Sequence, residues 1–208
     1  KMKAQELLNI GSSRLKSKDI SSHRFDSELL LASVLKKKRE NILMNLSQKI
    51  EKENIHQYYN LIKRRSTKEP IAYIFNKKEF WSMNFKLNNK TLIPRPETEL
   101  LVEKLVKKCK KKSIRILDIG VGSGCILISL LTEIKRSTGM GIDISKSALE
   151  TAKCNAKIYN LDHKIKFYQT SFSNLFNQRF DLIVSNPPYI RSADIKNLQE
   201  DVKKFEPK

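Results

Sequence analysis

Cysteine and histidine are scarce in this sequence of 208 residues, which contains three of each. The cysteines, Cys109, Cys125 and Cys154, are odd in number, and neither they nor the histidines have the spacing of metal ligands. These features exclude a disulfide-stabilised scaffold and a zinc-binding module. We therefore expect reduced thiols and no metal site.

Long apolar runs are also missing. No run approaches the ~20 residues that a helix needs to cross a bilayer, and residues 1–5 lack the apolar core of a signal peptide. We therefore expect a soluble, cytoplasmic protein that makes no membrane contact.

Acidic residues are about half as numerous as basic ones. The 22 Asp and Glu residues stand against 41 Lys and Arg, which gives a formal net charge of +19, and the excess is larger in residues 1–96 than in the rest. A basic first half predicts a polyanionic neighbour, and transient proximity to ribosomal RNA is one form of this prediction. The alternative is that the lysines are scattered over solvent-exposed faces and bind no partner.

Hydrophobic periodicity divides the sequence into three parts. Helical spacing of apolar residues predicts a small helical-bundle domain over residues 1–68. Alternation of apolar and polar residues predicts a β-hairpin linker over residues 69–96, with turns at 76–78 and 88–89. Strand and helix patterns then alternate through residues 97–208, which predicts an α/β domain with a parallel sheet and right-handed crossovers.

The third part, residues 97–208, is predicted to contain three helices and four strands. They are a helix over 97–111, a strand over 114–118, a helix over 123–133, a strand over 140–143, a helix over 146–158, and strands over 165–168 and 180–185. We expect the last strand to be buried and central, because Ile183 and Val184 are β-branched.

Glycine is rare but clustered, since three of the six glycines lie in Asp118-Ile119-Gly120-Val121-Gly122-Ser123-Gly124, between a strand and a helix. Glycines let a ligand approach the backbone, and the following helix presents free N–H groups. The spacing lacks the third-glycine offset of a dinucleotide fingerprint and the Lys-Ser/Thr of a phosphate-binding loop. Asp143 ends the next strand, where a carboxylate accepts ribose hydroxyls, although helix capping is an alternative role. Together they predict an adenosine-like ligand without a polyphosphate.

Proline is equally rare, and two of the six prolines end the last strand in Asn186-Pro187-Pro188-Tyr189. Prolines lack N–H donors, so the carbonyls of this corner have few local partners. The Asn186 side-chain oxygen and the Pro187 carbonyl can accept both hydrogens of a planar NH2 group, and Tyr189 offers it a flat face. The segment predicts a site for an amide or an exocyclic amine, with a plain turn as the alternative.

Arg95 lies between two prolines in residues 93–99. The following proline holds it extended, which suits a side chain aimed at a site. A structural ion pair is an equal alternative.

These segments resemble a known family. The glycine loop, Asp143 and the Asn186 to Tyr189 tetrapeptide are similar to those of S-adenosylmethionine-dependent methyltransferases that modify planar nitrogens. The closer resemblance is to the release factor glutamine methyltransferases of the HemK/PrmC type, and it is carried in addition by residues 26–30, 69–74, 79–81 and 93–99. It spans nearly the whole chain, and residues 93–99 are its most specific part.

The resemblance implies a Rossmann-like class I methyltransferase sheet after a helical domain that binds class I peptide chain release factors. A methyltransferase sheet of this type needs more than four strands, so the resemblance also implies a partial domain in a C-terminally truncated chain. The implied reaction is methylation of the side-chain nitrogen of the glutamine in their Gly-Gly-Gln motif, with S-adenosyl-L-methionine as donor and S-adenosyl-L-homocysteine as product. The implied cofactor-binding residues are Gly120, Val121, Gly122, Ser123, Gly124, Asp143, Phe172 and Asn186. The implied catalytic residues are Asn186, Pro187 and Tyr189, and the implied substrate-binding residues are these three with Pro188 and Arg95.

Two other functions stay open at this point. One is an adenine exocyclic-amine methyltransferase acting on DNA or RNA, because a flipped base would present its amine to the same corner. The other is an RNA- or ribosome-binding protein without catalysis. That function predicts no S-adenosylmethionine binding, and the intact glycine loop argues against it.

Overall fold

The computed structural model describes residues 1–174, 178–187 and 204–206. The chain divides into two compact units, Lys1–Ile74 and Phe75–Lys208. None of the helices in the described ranges is long and apolar enough to span a membrane.

The first unit is a bundle of helices, as its periodicity predicts. Its elements are β1 (Met2–Lys3), α1 (Ala4–Lys16), α2 (His23–Leu35), α3 (Arg39–Leu43), β2 (Lys49–Ile50), α4 (Lys52–Ser66) and α5 (Ile71–Ile74). The strands β1 and β2 pair antiparallel, and two-residue strands are too short to have been predicted from periodicity. The prediction of a strand at residues 71–74 is wrong, because the Pro70 carbonyl accepts hydrogen bonds from the Tyr73 and Ile74 amides and so begins a helical turn.

A buried tyrosine joins three helices of the bundle. The Tyr58 hydroxyl lies 2.7 Å from the Ser27 hydroxyl and donates to the Leu7 carbonyl at 3.2 Å. Helix α1 approaches it closely at Gly11, where a Cβ would lie 1.9 Å from the tyrosine oxygen. Burial raises the pKa of Tyr58, and the Ser27 hydrogen bond opposes this rise. The polar atom is therefore satisfied in the core, and its role is structural.

The second unit is an α/β domain. Its elements are β3 (Lys77–Phe80), β4 (Met83–Lys86), α6 (Pro96–Cys109), β5 (Arg115–Ile119), α7 (Cys125–Glu133), β6 (Thr138–Asp143), α8 (Lys146–Ile158), β7 (Ile165–Gln169), a 3-10 turn (Phe172–Asn174) and β8 (Leu182–Ser185). Strands β5 to β8 form one parallel sheet in the order β7-β6-β5-β8. The predicted fold class is confirmed.

The hairpin exists, but its turn lies elsewhere than predicted. Strands β3 and β4 pair antiparallel around Trp81 and Ser82, which both have φ of 54°. The predicted turn at 76–78 is found only at Asn76, which has φ of 53°, whereas Lys77 and Lys78 belong to β3. Asn76 closes the base of the hairpin, where its carbonyl accepts a hydrogen bond from the Leu87 amide at 2.9 Å. Phe80 and Phe85 of the hairpin pack into the core of the second unit.

The strand order places one crevice at the carboxyl end of the sheet. The chain runs from β5 through β6 to β7, and then returns to β8 on the opposite side of β5. Ile119 at the end of β5 is in register with Ser185 at the end of β8. Open α/β sheets bind ligands at such a reversal of strand order, so the loops after β5 and β8 flank the expected site.

Strand β8 departs from its prediction in one respect. Among the described strands, it pairs with β5 alone and ends the strand order. Val184 is 5% exposed, whereas Ile183 on the other face is 54% exposed. The expectation of a buried strand is therefore wrong for the face that carries Ile183, because a β-branched pair suits a half-buried strand equally well. The central position of β8 stays a prediction.

Candidate cofactor and substrate site

The glycine loop between β5 and α7 has the backbone conformation for which glycine is needed. Gly120, Gly122 and Gly124 have φ of 72°, 54° and 82°, values that other residues adopt only with strain. The Gly120 and Val121 amides both donate to the Ile142 carbonyl at 2.9 Å. These bonds fix the loop against β6.

The three glycines differ in what surrounds them. A Cβ added at Gly120 would meet no atom within 4 Å, and one at Gly122 would meet only the Gly120 carbonyl at 3.9 Å. A Cβ at Gly124 would lie 2.9 Å from Ile128 Cδ1 and 3.3 Å from Ala152 Cβ. Gly124 is therefore needed for the packing of α7 against α8. Gly120 and Gly122 border open space, so a ligand has room to lie against their backbone.

Asp143 shapes this loop from the end of β6. Its Oδ2 accepts a hydrogen bond from the Gly122 amide at 3.0 Å, and its Oδ1 accepts one from the Ser145 amide at 2.9 Å. The cap of α8 is Ser145, whose hydroxyl accepts from the Ala148 amide at 3.3 Å. The side chain of Asp143 is partly exposed, and each carboxylate oxygen has a second lone pair for a ligand hydroxyl.

Asp118, which has no role in the sequence-based site, is a buried carboxyl beside the loop. It is 1% exposed, and neither oxygen has a hydrogen-bond partner in the described part of the chain. Burial raises the pKa of Asp118 to about 7, and the nearby Asp143 carboxylate adds to this rise. The Leu127 amide opposes the rise, although it does not form a hydrogen bond with either carboxyl oxygen. A buried carboxyl without a partner fits a site for a ligand that carries positive charge.

The raised pKa of Asp118 predicts a pH-dependent stability. The folded protein holds this proton more tightly than the unfolded chain, in which the pKa is ~3.9, so the free energy of unfolding should fall as pH rises from about 4 to about 7. The fall should be on the order of 4 kcal/mol at most. Urea unfolding across this pH range measures it.

The matched variants are Asp118→Asn and Asp162→Asn. Asn at position 118 cannot ionise, so the free energy of unfolding of Asp118→Asn should depend less on pH. Asp162 is exposed, so Asp162→Asn should keep the pH dependence of the wild type. A wild-type dependence as flat as that of Asp118→Asn would contradict the prediction.

Asn155 is a site residue that the sequence analysis missed. It is fully buried, and its Nδ2 donates to the Ser123 carbonyl of the loop at 2.8 Å and to the Lys86 carbonyl at 3.0 Å. Its Oδ1 accepts from the Lys86 amide at 2.8 Å. One side chain therefore joins the glycine loop to the hairpin. The sequence contained one sign of this role, because Asn155 is a polar residue on the buried face of α8, beside Ala152 and Ala156.

Asn186 follows β8 at the crevice and is partly buried. Its Nδ2 donates to the Thr98 hydroxyl at 3.3 Å. The preceding Ser185 hydroxyl donates to the Ile119 carbonyl at 2.9 Å, which joins the end of β8 to the start of the glycine loop. Pro187 is exposed, and the predicted site residues Pro188 and Tyr189 lie outside the described residues.

Phe172 lies in the 3-10 turn after β7 and is 62% exposed. Ile144, which directly follows Asp143, is 76% exposed and was not predicted. The loops that carry them are joined, because the Thr170 amide donates to the Asp143 carbonyl at 3.1 Å. Two exposed apolar side chains at this edge of the sheet offer surface to a flat apolar ligand group.

Arg95 has the extended backbone predicted for it, with φ of −99° and ψ of 143°. Its guanidinium pairs with Glu206, with 2.6 Å between Nη2 and Oε1. The structural ion pair that the sequence left as an alternative is therefore present, and substrate contact by Arg95 stays a prediction. Among the described residues, no cluster of His, Cys, Asp or Glu is placed to hold a metal ion.

Comparison with known proteins gives two family matches. Residues 6–75 match the PrmC N-terminal domain, and residues 96–202 match the methyltransferase small domain. The sheet, the glycine loop and the second match together define a Rossmann-like methyltransferase domain.

Three relatives identify the group more closely, and each is named release factor glutamine methyltransferase. The protein of Buchnera aphidicola subsp. Baizongia pistaciae is 42% identical over 99% of this chain and 74% of its own length, and that of Clostridium botulinum is 40% identical over 98% and 73%. The protein of Buchnera aphidicola subsp. Schizaphis graminum is 45% identical over 86% of this chain and 65% of its own length. The chain belongs to the release factor glutamine methyltransferase family.

Proposed function

We propose that this protein transfers a methyl group from S-adenosyl-L-methionine to the side-chain amide of the glutamine in the Gly-Gly-Gln motif of class I peptide chain release factors. The observation that carries the proposal is the position of Asn186. Its amide lies at the carboxyl end of β8, and β8 is in register with the strand that leads into the open glycine loop. The names of the relatives support the choice of substrate.

The residues present fit the cofactor. Gly120 to Gly124 would hold its methionine part, Asp143 its ribose hydroxyls, and Phe172 with Ile144 would cover the adenine. Asp118 supplies the buried negative charge that a sulfonium or ammonium group requires. Once bound, S-adenosylmethionine supplies a methyl group activated by its positively charged sulfur.

Asn186 and Pro187 would prepare the acceptor nitrogen. The lone pair of an amide nitrogen is delocalised into its carbonyl, so the nitrogen is a weak nucleophile. If Asn186 Oδ1 and the Pro187 carbonyl each accept one of its N–H groups, they fix the nitrogen in line with the methyl group and stabilise the positive charge that develops on it. Asn186 has no basic group, so it orients and polarises the nitrogen rather than removing its proton. As the nitrogen–methyl bond forms, the sulfur–methyl bond of the cofactor would break, and the methylated nitrogen would then lose its proton to solvent water.

The first unit would hold the release factor. We also infer that the protein works in the cytoplasm, where release factors meet ribosomes. Transient proximity to ribosomal RNA belongs to the same proposal, because the net charge of +19 favours a polyanion. The adenine alternative is not favoured, because the relatives are named for glutamine methylation.

Radiolabelled S-adenosylmethionine tests the proposal directly. The acceptors are a class I release factor, the same factor with its Gly-Gly-Gln glutamine changed to alanine, ribosomal RNA and duplex DNA. We expect label on the intact factor alone. Label on nucleic acid but on neither form of the factor would overturn the substrate and keep the cofactor.

A further inference from the structure

We propose that Thr98 is a positioning residue that holds the Asn186 side chain in place at the end of β8, and this inference rests on the proposed function. The two residues are 88 positions apart in sequence, and Asn186 Nδ2 donates to Thr98 Oγ1 at 3.3 Å. With its NH2 end directed at Thr98, the amide turns its oxygen in the opposite direction. That oxygen is then the end that a substrate N–H would meet.

The position of this side chain matters because the Asn186 oxygen must lie where one substrate N–H would meet it. A threonine hydroxyl can accept from the NH2 end of an amide or donate to its oxygen, so the contact holds the Asn186 side chain in place without choosing between its two ends. A side chain that is held before the substrate arrives meets the condition for preorganised catalysis.

Thr98 is itself held in place from two sides. It lies in the first turn of α6, where its amide donates to the Arg95 carbonyl at 3.0 Å. The next residue, Glu99, accepts a hydrogen bond from the Trp81 amide at 2.8 Å, and Arg95 pairs with Glu206. The hydroxyl is therefore presented from a fixed turn. The proposal thus gives residues 93–99 a role through Thr98, in addition to the roles that the sequence analysis considered for Arg95.

The decisive comparison is between Thr98→Val and Thr98→Ser. Valine has nearly the shape of threonine without the hydroxyl, and serine keeps the hydroxyl. We expect Thr98→Val to lower kcat for the release factor about tenfold, the scale for one lost hydrogen bond, and Thr98→Ser to restore most of the rate. The dissociation constant for S-adenosylhomocysteine and the thermal midpoint should stay near the wild-type values in both variants.

Two controls separate positioning from a general effect on structure. Thr132→Val removes a hydroxyl that donates to the Ile128 carbonyl within α7, and it should leave kcat unchanged. In the Asn186→Ala background, Thr98→Val should have no further effect on kcat, because Thr98 acts through that amide. Equal losses in the two backgrounds would overturn the proposal.

These measurements also distinguish a failure of the Thr98 proposal from a failure of the proposed function. If wild type methylates the release factor and Thr98→Val does so equally fast, the role of Thr98 is refuted and the function stands. If wild type labels a nucleic acid instead, the function is refuted. The same pair of variants is then compared on that acceptor, where equal rates refute Thr98 as well and a tenfold loss supports it.

Discussion

Replacing Asn186 with alanine should lower methyl transfer to the release factor about 10²-fold or more. This is the scale observed when one preorganised polar contact to a transition state is removed. The alanine keeps the corner between β8 and Pro187 but removes the acceptor for one N–H of the substrate amide. It also removes the bond to Thr98. The loss should appear in kcat measured at saturating S-adenosylmethionine.

The control for this variant is Asn84→Ala. Asn84 is also an asparagine, but it lies on the exposed face of the hairpin strand β4, and its side chain should have no part in catalysis. Calorimetric titration with S-adenosylhomocysteine shows whether the lower activity of Asn186→Ala comes from slower methyl transfer or from weaker cofactor binding. Wild-type turnover in Asn186→Ala would contradict the assigned role.

The α/β part of the fold was predictable because each of its elements is specified locally. Helix α8 was predicted over 146–158 and is found at Lys146–Ile158, because a serine cap and apolar residues at helical spacing mark its start and its buried face. The strands of the sheet were predicted to within a few residues for the same reason, since each is a short apolar run between turn residues.

The hairpin turn was not predictable in this way. Asn76-Lys77-Lys78 has typical turn chemistry, and Trp81-Ser82 does not. The turn forms at Trp81 because tertiary contacts stabilise it there: the Trp81 amide donates to Glu99 at 2.8 Å, and Phe80 is buried in the core. A left-handed conformation at a large aromatic residue is determined by its surroundings, and local sequence contains no sign of it.

The same distinction between local sequence features and tertiary contacts applies to the residues of the candidate site. Glycines in a strand-to-helix loop and a carboxylate at a strand end are local features, so the glycine loop and Asp143 could be predicted from sequence as candidate site residues. Asn155 and Thr98 contribute through hydrogen bonds to residues that are distant in the chain. An asparagine in a helix and a threonine in a first turn are ordinary residues until the fold brings their partners close.

The second large effect concerns the glycine loop, where two similar substitutions should have opposite consequences. Gly120→Ala and Gly124→Ala impose the same kind of backbone strain, about 1–2 kcal/mol for an alanine at positive φ. The added methyl group at Gly120 meets no protein atom, and the one at Gly124 meets Ile128 and Ala152. Overpacking of that kind costs a further 1–3 kcal/mol or so. Gly124→Ala should therefore have the lower thermal midpoint.

Cofactor binding should be affected in the reverse order. The methyl group at Gly120 occupies the space into which we place the cofactor, so the dissociation constant for S-adenosylhomocysteine should rise about 10- to 100-fold, which corresponds to about 1.4–3 kcal/mol of lost contact. Gly124→Ala, measured below its unfolding temperature, should bind more tightly than Gly120→Ala because its methyl group points into the helix packing. Calorimetry and thermal unfolding on the two variants measure both quantities. Wild-type affinity in Gly120→Ala would mean that the open side of the loop is not where the cofactor lies, even if the protein is an active methyltransferase.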